Sequence, residues 1–173
     1  MMAEIRLAGK LYEAIRGDIA RPHPFADERI GFAFAKMGNR AGKEPLIILH
    51  RYVSIPDERY VEDPDVGARI DGDAITGIMQ QVLDHRPERE GAFHVHVHDH
   101  EGRTGPSRTD RDEIPLLIPS FRRVGKETAH GFIIFSKDHG LGWVWLPGEK
   151  EPVTASRIVV VGSPLSIFES INK

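Results

Sequence analysis

Residues 91–98 read GAFHVHVH, and their strict alternation of side-chain type is the pattern of a β-strand rather than a helix. Working outward, residues 73–85 (DAITGIMQQVLDH) place Ile75, Ile78, Met79 and Val82 at helical spacing, so a helix is expected before this strand. A polar loop over 99–105 follows it. A short helix is expected over 110–121, limited by Pro115 and Pro119. Further strands are expected at 29–36 (RIGFAFAK), 45–53 (PLIILHRYV), 131–136 (GFIIFS), 142–146 (GWVWL) and 157–161 (RIVVV), with 45–53 apolar enough to be buried on both faces. Residues 54–72 are rich in Pro, Asp and Gly and read as loop. At the start of the chain, Leu7, Leu11, Ile15 and Ile19 recur every four residues, which predicts an amphipathic helix over 5–20 ended by Pro22 and Pro24. The order of helix, strands, helix, strands predicts an α/β or mixed α+β fold, a mixed sheet flanked by helices.

The 173 residues fit one domain with its own hydrophobic core. A net charge of −3 argues against nucleic acid as the main partner. No run approaches the roughly 20 apolar residues that span a bilayer, and the N-terminal segment lacks the apolar stretch of a signal peptide, so no membrane association is expected. With no cysteine, a cysteine nucleophile, thiolate ligands and disulfides are excluded, which fits a cytoplasmic protein.

Four of the nine histidines fall between His94 and His100. On a strand His94, His96 and His98 share one face. Three imidazoles make a poor core, because each buried ring needs hydrogen-bond partners, but they make good metal ligands. Two histidines at i and i+2, joined by an aspartate returning from the next loop, give three protein ligands and leave a fourth position open, the arrangement of a catalytic zinc site.

The segment His96-Val-His98, the loop 99–105 and Pro106-Ser107-Arg-Thr-Asp110, with Glu28-Arg-Ile-Gly31 far upstream, resembles the JAMM/MPN metalloproteases in their H-x-H, P-S-x-x-D and E-x-x-G motifs and in motif order. The resemblance covers residues from about 28 to 146 and is nearest to compact prokaryotic members. It implies a JAB/MPN fold over residues 1–173 and one Zn²⁺ per chain held by His96, His98 and Asp110. It further implies that Glu28 carries the proton from water to the leaving amine and that Ser107 donates to the developing oxyanion. The implied reaction is isopeptide or peptide hydrolysis after the C-terminus of a ubiquitin-like protein, which is then the partner, with a bacterial antiphage conjugation system as one setting. MPN domains also pair with a second copy or a relative, so a dimer or partner subunit is part of the expectation. One residue more than the family's usual seven separates His98 from Ser107, and a His98/His100 pair would leave one fewer; we prefer His96/His98, in phase with Val95 and Val97 on the opposite face, with the excess absorbed in the loop 101–105. Asp99 or Glu101 would orient an imidazole.

Each residue also has a plainer reading: a solvated histidine strand, a surface charge for Glu28, a helix N-cap for Ser107, a first-turn helix acid for Asp110. His23, His50, His130 and His139 are read as structural or surface residues. Trp143 and Trp145 share one strand face and are read first as core, otherwise as a wall for an extended substrate tail. Competing functions are an inactive MPN-type scaffold or binding module and a zinc amidohydrolase for a small substrate. A cupin-like oxygenase is disfavoured by the helices.

Overall fold

A computed structural model describes residues 1–38 and 44–169. Among these, eight strands and three α-helices occur: β1 (Ala3–Ala8), α1 (Gly9–Ile19), β2 (Ile30–Gly38), β3 (Leu46–Ser54), α2 (Gly72–Asp84), β4 (Gly91–Val97), α3 (Arg108–Val124), β5 (His130–Phe135), β6 (Gly140–Trp145), β7 (Val153–Val161) and β8 (Ser166–Glu169). The strands hydrogen-bond in the order β1-β3-β2-β4-β5-β6-β7-β8, and β1 also pairs with β7. That second pairing closes seven strands into a barrel, with β8 added along β7.

The expected JAB/MPN-like mixed sheet flanked by helices is therefore wrong: the sheet is closed, and the barrel dominates the fold. The error begins at the N-terminus. Leu7 satisfies two periods at once, four residues before Leu11 and two after Ile5. Residues 3–8 are in fact a strand, and the helix starts only at Gly9. Taking β1 as helix removed the strand that pairs with β3 on one side and β7 on the other. Nor is this an antiparallel all-β barrel of the cupin kind, since β1–β3, β1–β7 and β4–β5 are parallel.

Residues from all seven barrel strands meet in one buried cluster that includes Ile5, Ala33, Leu49, Phe93, Ile133, Val144 and Ile158, so this face is the barrel interior. Helix α1 adds Ile15 and Ile19 to it. The opposite face of β2, β4, β5 and β6 is covered by the other two helices. Phe32, Phe34 and Ala92 pack with Ile78 and Val82 of α2, while Phe132, Ile134, Trp143 and Trp145 pack with Ile114 and Ile118 of α3. The two tryptophans thus serve packing, as first read. Strand β3 is not buried on both faces, since Ile48 is 40% exposed. Helix α3 runs past both ends of the expected segment, with both prolines inside it.

An ion cluster stands at the closing seam. Glu4 of β1, 1% exposed, accepts from Arg157 Nη2 of β7 at 2.6 Å and pairs with Arg6. Burial pushes the Glu4 carboxyl up, but the hydrogen bonds from Arg157 and Arg6 outweigh it and hold the group below its ordinary value of 4.5. A carboxylate depressed in the folded state stabilises the fold above its unfolded pKa, and that stabilisation is lost as the pH falls through the folded pKa. Urea unfolding of wild type and Glu4→Gln should therefore differ most near neutrality, with the gap closing as the pH drops below about 4.5. A gap that widens on acidification would contradict the assignment.

Candidate metal centre

The antiparallel register pairs Ile30 of β2 with His96 of β4, and this brings Glu28, two residues before Ile30, to the end of β4 where His98 lies. His94 and His96 alternate with Phe93 and Val95, which point into the barrel. The histidines therefore project on the outer face, beneath α3. The N-terminus of α3 returns Asp110 to the same point.

Three polar groups converge there. His96 Nε2 lies 3.0 Å from His98 Nε2. Asp110 Oδ1 is 3.4 Å from His96 Nε2, and its Oδ2 is 3.5 Å from His98 Nε2. Two ligands at 2.0–2.1 Å on a tetrahedral zinc lie roughly 3.3 Å apart, so these three separations are close to the edges of such a site. Ligand atoms of Glu28, His96 and His98 all lie within 4.8 Å of one another, and this group can hold a metal ion. The donor set, two imidazoles and carboxylates, suits a divalent transition metal.

His96 and His98 meet Asp110, whereas the exposed His100 turns its Nδ1 to the carbonyl of Glu101. The loop after His98 is held at Gly102, which has φ 84° and donates its N–H to Asp138 Oδ1 at 2.6 Å. Only glycine adopts that conformation freely, and the eight-residue spacing is accommodated there.

Helix α3 starts with a capping box. Ser107 Oγ accepts from Asp110 N at 3.1 Å, and Ser107 N donates to Asp110 Oδ2 at 2.7 Å. This box satisfies two of the helix's first N–H groups and fixes the Asp110 carboxylate toward the histidines. The plain readings of Ser107 as an N-cap and of Asp110 as a first-turn acid hold, and the same box leaves Asp110 beside the histidines. The Ser107 hydroxyl accepts in this cap, which leaves its proton uncommitted by the bond, and the residue lines the adjoining cleft.

Burial pushes the Asp110 carboxyl up, but the hydrogen bonds from His96, His98 and Ser107 N win and hold it well below the carboxylate range. Its partner His98 is pushed up, chiefly by Asp110. Burial raises the Glu28 carboxyl against the opposing pull of the two histidines. His94 stands apart. Its ring stacks on Phe132 with centroids 4.6 Å apart and planes 8° apart, and burial lowers its pKa to about 3, so it is neutral and forms the cleft floor. Nδ1 of both His94 and His96 is buried without a hydrogen-bond partner.

Sequence reasoning misplaced the group that orients a ligand. Asp99 pairs with Lys137, and Glu101 meets His100 through its backbone carbonyl. The side chain on His98 Nδ1 is Thr104 Oγ1 at 3.2 Å. A proton on Nδ1 shared with Thr104 leaves the Nε2 lone pair for a metal. Outer-shell partners of this kind typically change metal affinity 10–100-fold. Thr104→Ala should therefore weaken zinc binding by about tenfold or more, read by competition against a chromophoric chelator; unchanged affinity would remove Thr104 from the account. No pattern in the sequence marks Thr104, because its partner is set by the loop's path.

His130 is structural. It is fully buried, accepts from Ala92 N at Nδ1 and donates from Nε2 to Gly125 O, and burial lowers its pKa to about 4. Gly31, the glycine of the E-x-x-G match, leaves room for Tyr52: a Cβ there would stand 1.8 Å from the tyrosine Oη, which donates to Asp18.

A cleft of about 470 Å³ opens beside the candidate metal group. Glu28, His96, Ser107 and Asp110 lie along it, and Ile70, Ile75 and Leu117 also line it. Trp143 and Trp145 are not among its lining residues.

Fold and site together define a closed-barrel protein with a candidate metal centre on the outer face of the barrel, under a helix N-terminus. No family model matches this chain, and no curated protein matches it. Among the described residues no helix is long and apolar enough to cross a membrane.

Proposed function

We propose that the chain is a zinc hydrolase that divides its chemistry as the JAMM metalloproteases do. The reading rests on the site and not on the fold, because function follows the site. The observation that carries it is the meeting of His96, His98 and Asp110 within 3.5 Å, with the half-buried Glu28 carboxylate beside them. When bound there, zinc supplies Lewis acidity to a carbonyl and to a water. Glu28 would take a proton from the attacking water as the water oxygen bonds to the carbonyl carbon. As the C–N bond breaks, Glu28 returns the proton to the leaving nitrogen, so the products are a carboxylic acid and an amine, which exchange the remaining proton to end as carboxylate and ammonium. Burial favours the protonated form of Glu28, which suits a group that must hold the proton between the two events. Ser107 lines the same cleft, and its hydroxyl donates a hydrogen bond to the developing oxyanion.

The proposed substrate is the C-terminal peptide or isopeptide bond of a ubiquitin-like protein, cut in deconjugation or precursor processing in the cytoplasm. A second reading, hydrolysis of a small amide, is favoured by one observation: the cleft volume lies within the range of small-molecule sites. The test is cleavage of a ubiquitin-like fusion with a C-terminal reporter, against a small amide of the same reporter. Cleavage of the fusion that a chelator stops and zinc restores is the expected result. Cleavage of the small amide alone would move the substrate to the second reading, and a zinc-loaded protein inert toward both would leave the inactive scaffold.

A further inference from the structure

The segment 59–71 folds back on itself ahead of α2. Tyr60 and Ile70 form a β-bridge, Val61 N donates to Arg69 O, and Asp71 N donates to Arg59 O. At its far end Gly67 faces Glu28. The Gly67 carbonyl accepts two adjacent backbone N–H groups, from Asp27 at 2.8 Å and Glu28 at 3.0 Å. The Gly67 α-carbon also sits against the Glu28 side chain. A Cβ on Gly67 would stand 3.0 Å from Glu28 Cδ, 3.1 Å from Oε2 and 3.3 Å from Cγ, and these three atoms are its nearest neighbours. Gly67 does not occupy the left-handed region, so its backbone is open to alanine and what glycine supplies here is space.

The geometry points to Gly67 as a positioning residue for Glu28, holding the backbone through its carbonyl and leaving the carboxylate its place by having no side chain. The inference rests on the reading of Glu28 as the proton-transferring group. Gly67 touches neither histidine nor Asp110 in the contacts above, so its effect falls on the base and not on the metal ligands. An added methyl must displace the carboxylate by a few tenths of an ångström. A misplacement of about 1 Å can cost about a hundredfold in rate, so a smaller one should cost about tenfold.

Two readouts separate positioning from plain packing. The first needs no substrate: melting temperatures of wild type, Gly67→Ala, Glu28→Ala and the double variant. Alanine at a permissive glycine ordinarily stabilises through the unfolded state, so Gly67→Ala should be neutral or favourable once the Glu28 side chain is gone. In the presence of Glu28 it should lower the melting temperature by roughly 2–4 °C relative to that background. The second is kinetic: Gly67→Ala should keep its zinc and its KM and lose about tenfold in kcat. Equal effects of Gly67→Ala in both backgrounds, or a kcat equal to wild type in an enzyme that does cleave, would overturn the assignment. If the melting temperatures couple and the wild type cleaves nothing, the contact between Gly67 and Glu28 stands and the hydrolase reading falls.

Discussion

Glu28→Gln is expected to bind zinc as wild type does and to lose about 10²–10⁴ in kcat, the usual contribution of a positioned acid–base group. The substitution is nearly isosteric, so the contact with Gly67 and the backbone bonds of residues 27 and 28 are retained. What it removes is the ability to accept a proton from water and return it. His96, His98 and Asp110 keep their mutual distances of 3.0–3.5 Å, so the zinc content should not fall. Zinc analysis and steady-state cleavage on the same samples decide the matter. Full activity in Glu28→Gln would assign the proton to another group. Loss of zinc would make Glu28 a ligand in place of a base, an arrangement its place in the metal-binding group permits.

The second large effect falls on the ligands. His96→Ala and His98→Ala should each weaken zinc binding by more than about 10²-fold, the upper end of what outer-shell partners cost, and cleavage should fall with it. His100→Ala should do neither, because its ring bonds the Glu101 carbonyl. His94→Ala should spare zinc while loosening the cleft floor, where the ring stacks on Phe132. Titration with zinc, followed by assay at saturating metal, separates these cases. Equal losses in His100→Ala and His96→Ala would return the register to His98/His100.

Much of this site was legible in the sequence, and for a definite reason. Period-two alternation over 91–98 is a local property, and it gives the shared face of His94, His96 and His98 directly. Ser107 and Asp110 sit three residues apart, so the capping box that joins them is local too. What was not legible depends on chain segments far apart in sequence. Thr104 reaches His98 because Gly102 is tied to Asp138 across the loop. Gly67 meets Glu28 because residues 59–71 fold back over it. The barrel itself turns on the pairing of β1 with β7, about 150 residues apart, and Leu7 hid that strand by also fitting a helical period. Strand β8 is four residues long, with exposed apolar residues at Ile167 within it and at Leu165 just before it, and carries no local signal strong enough to mark it.

Whether a metal ion sits among His96, His98 and Asp110 can be read from anomalous diffraction at the zinc edge, using crystals grown with equimolar zinc. One strong peak per chain is expected, within bonding distance of Nε2 of both histidines and of the Asp110 carboxylate. No peak there, or a peak at His100 or His139 instead, would contradict that assignment.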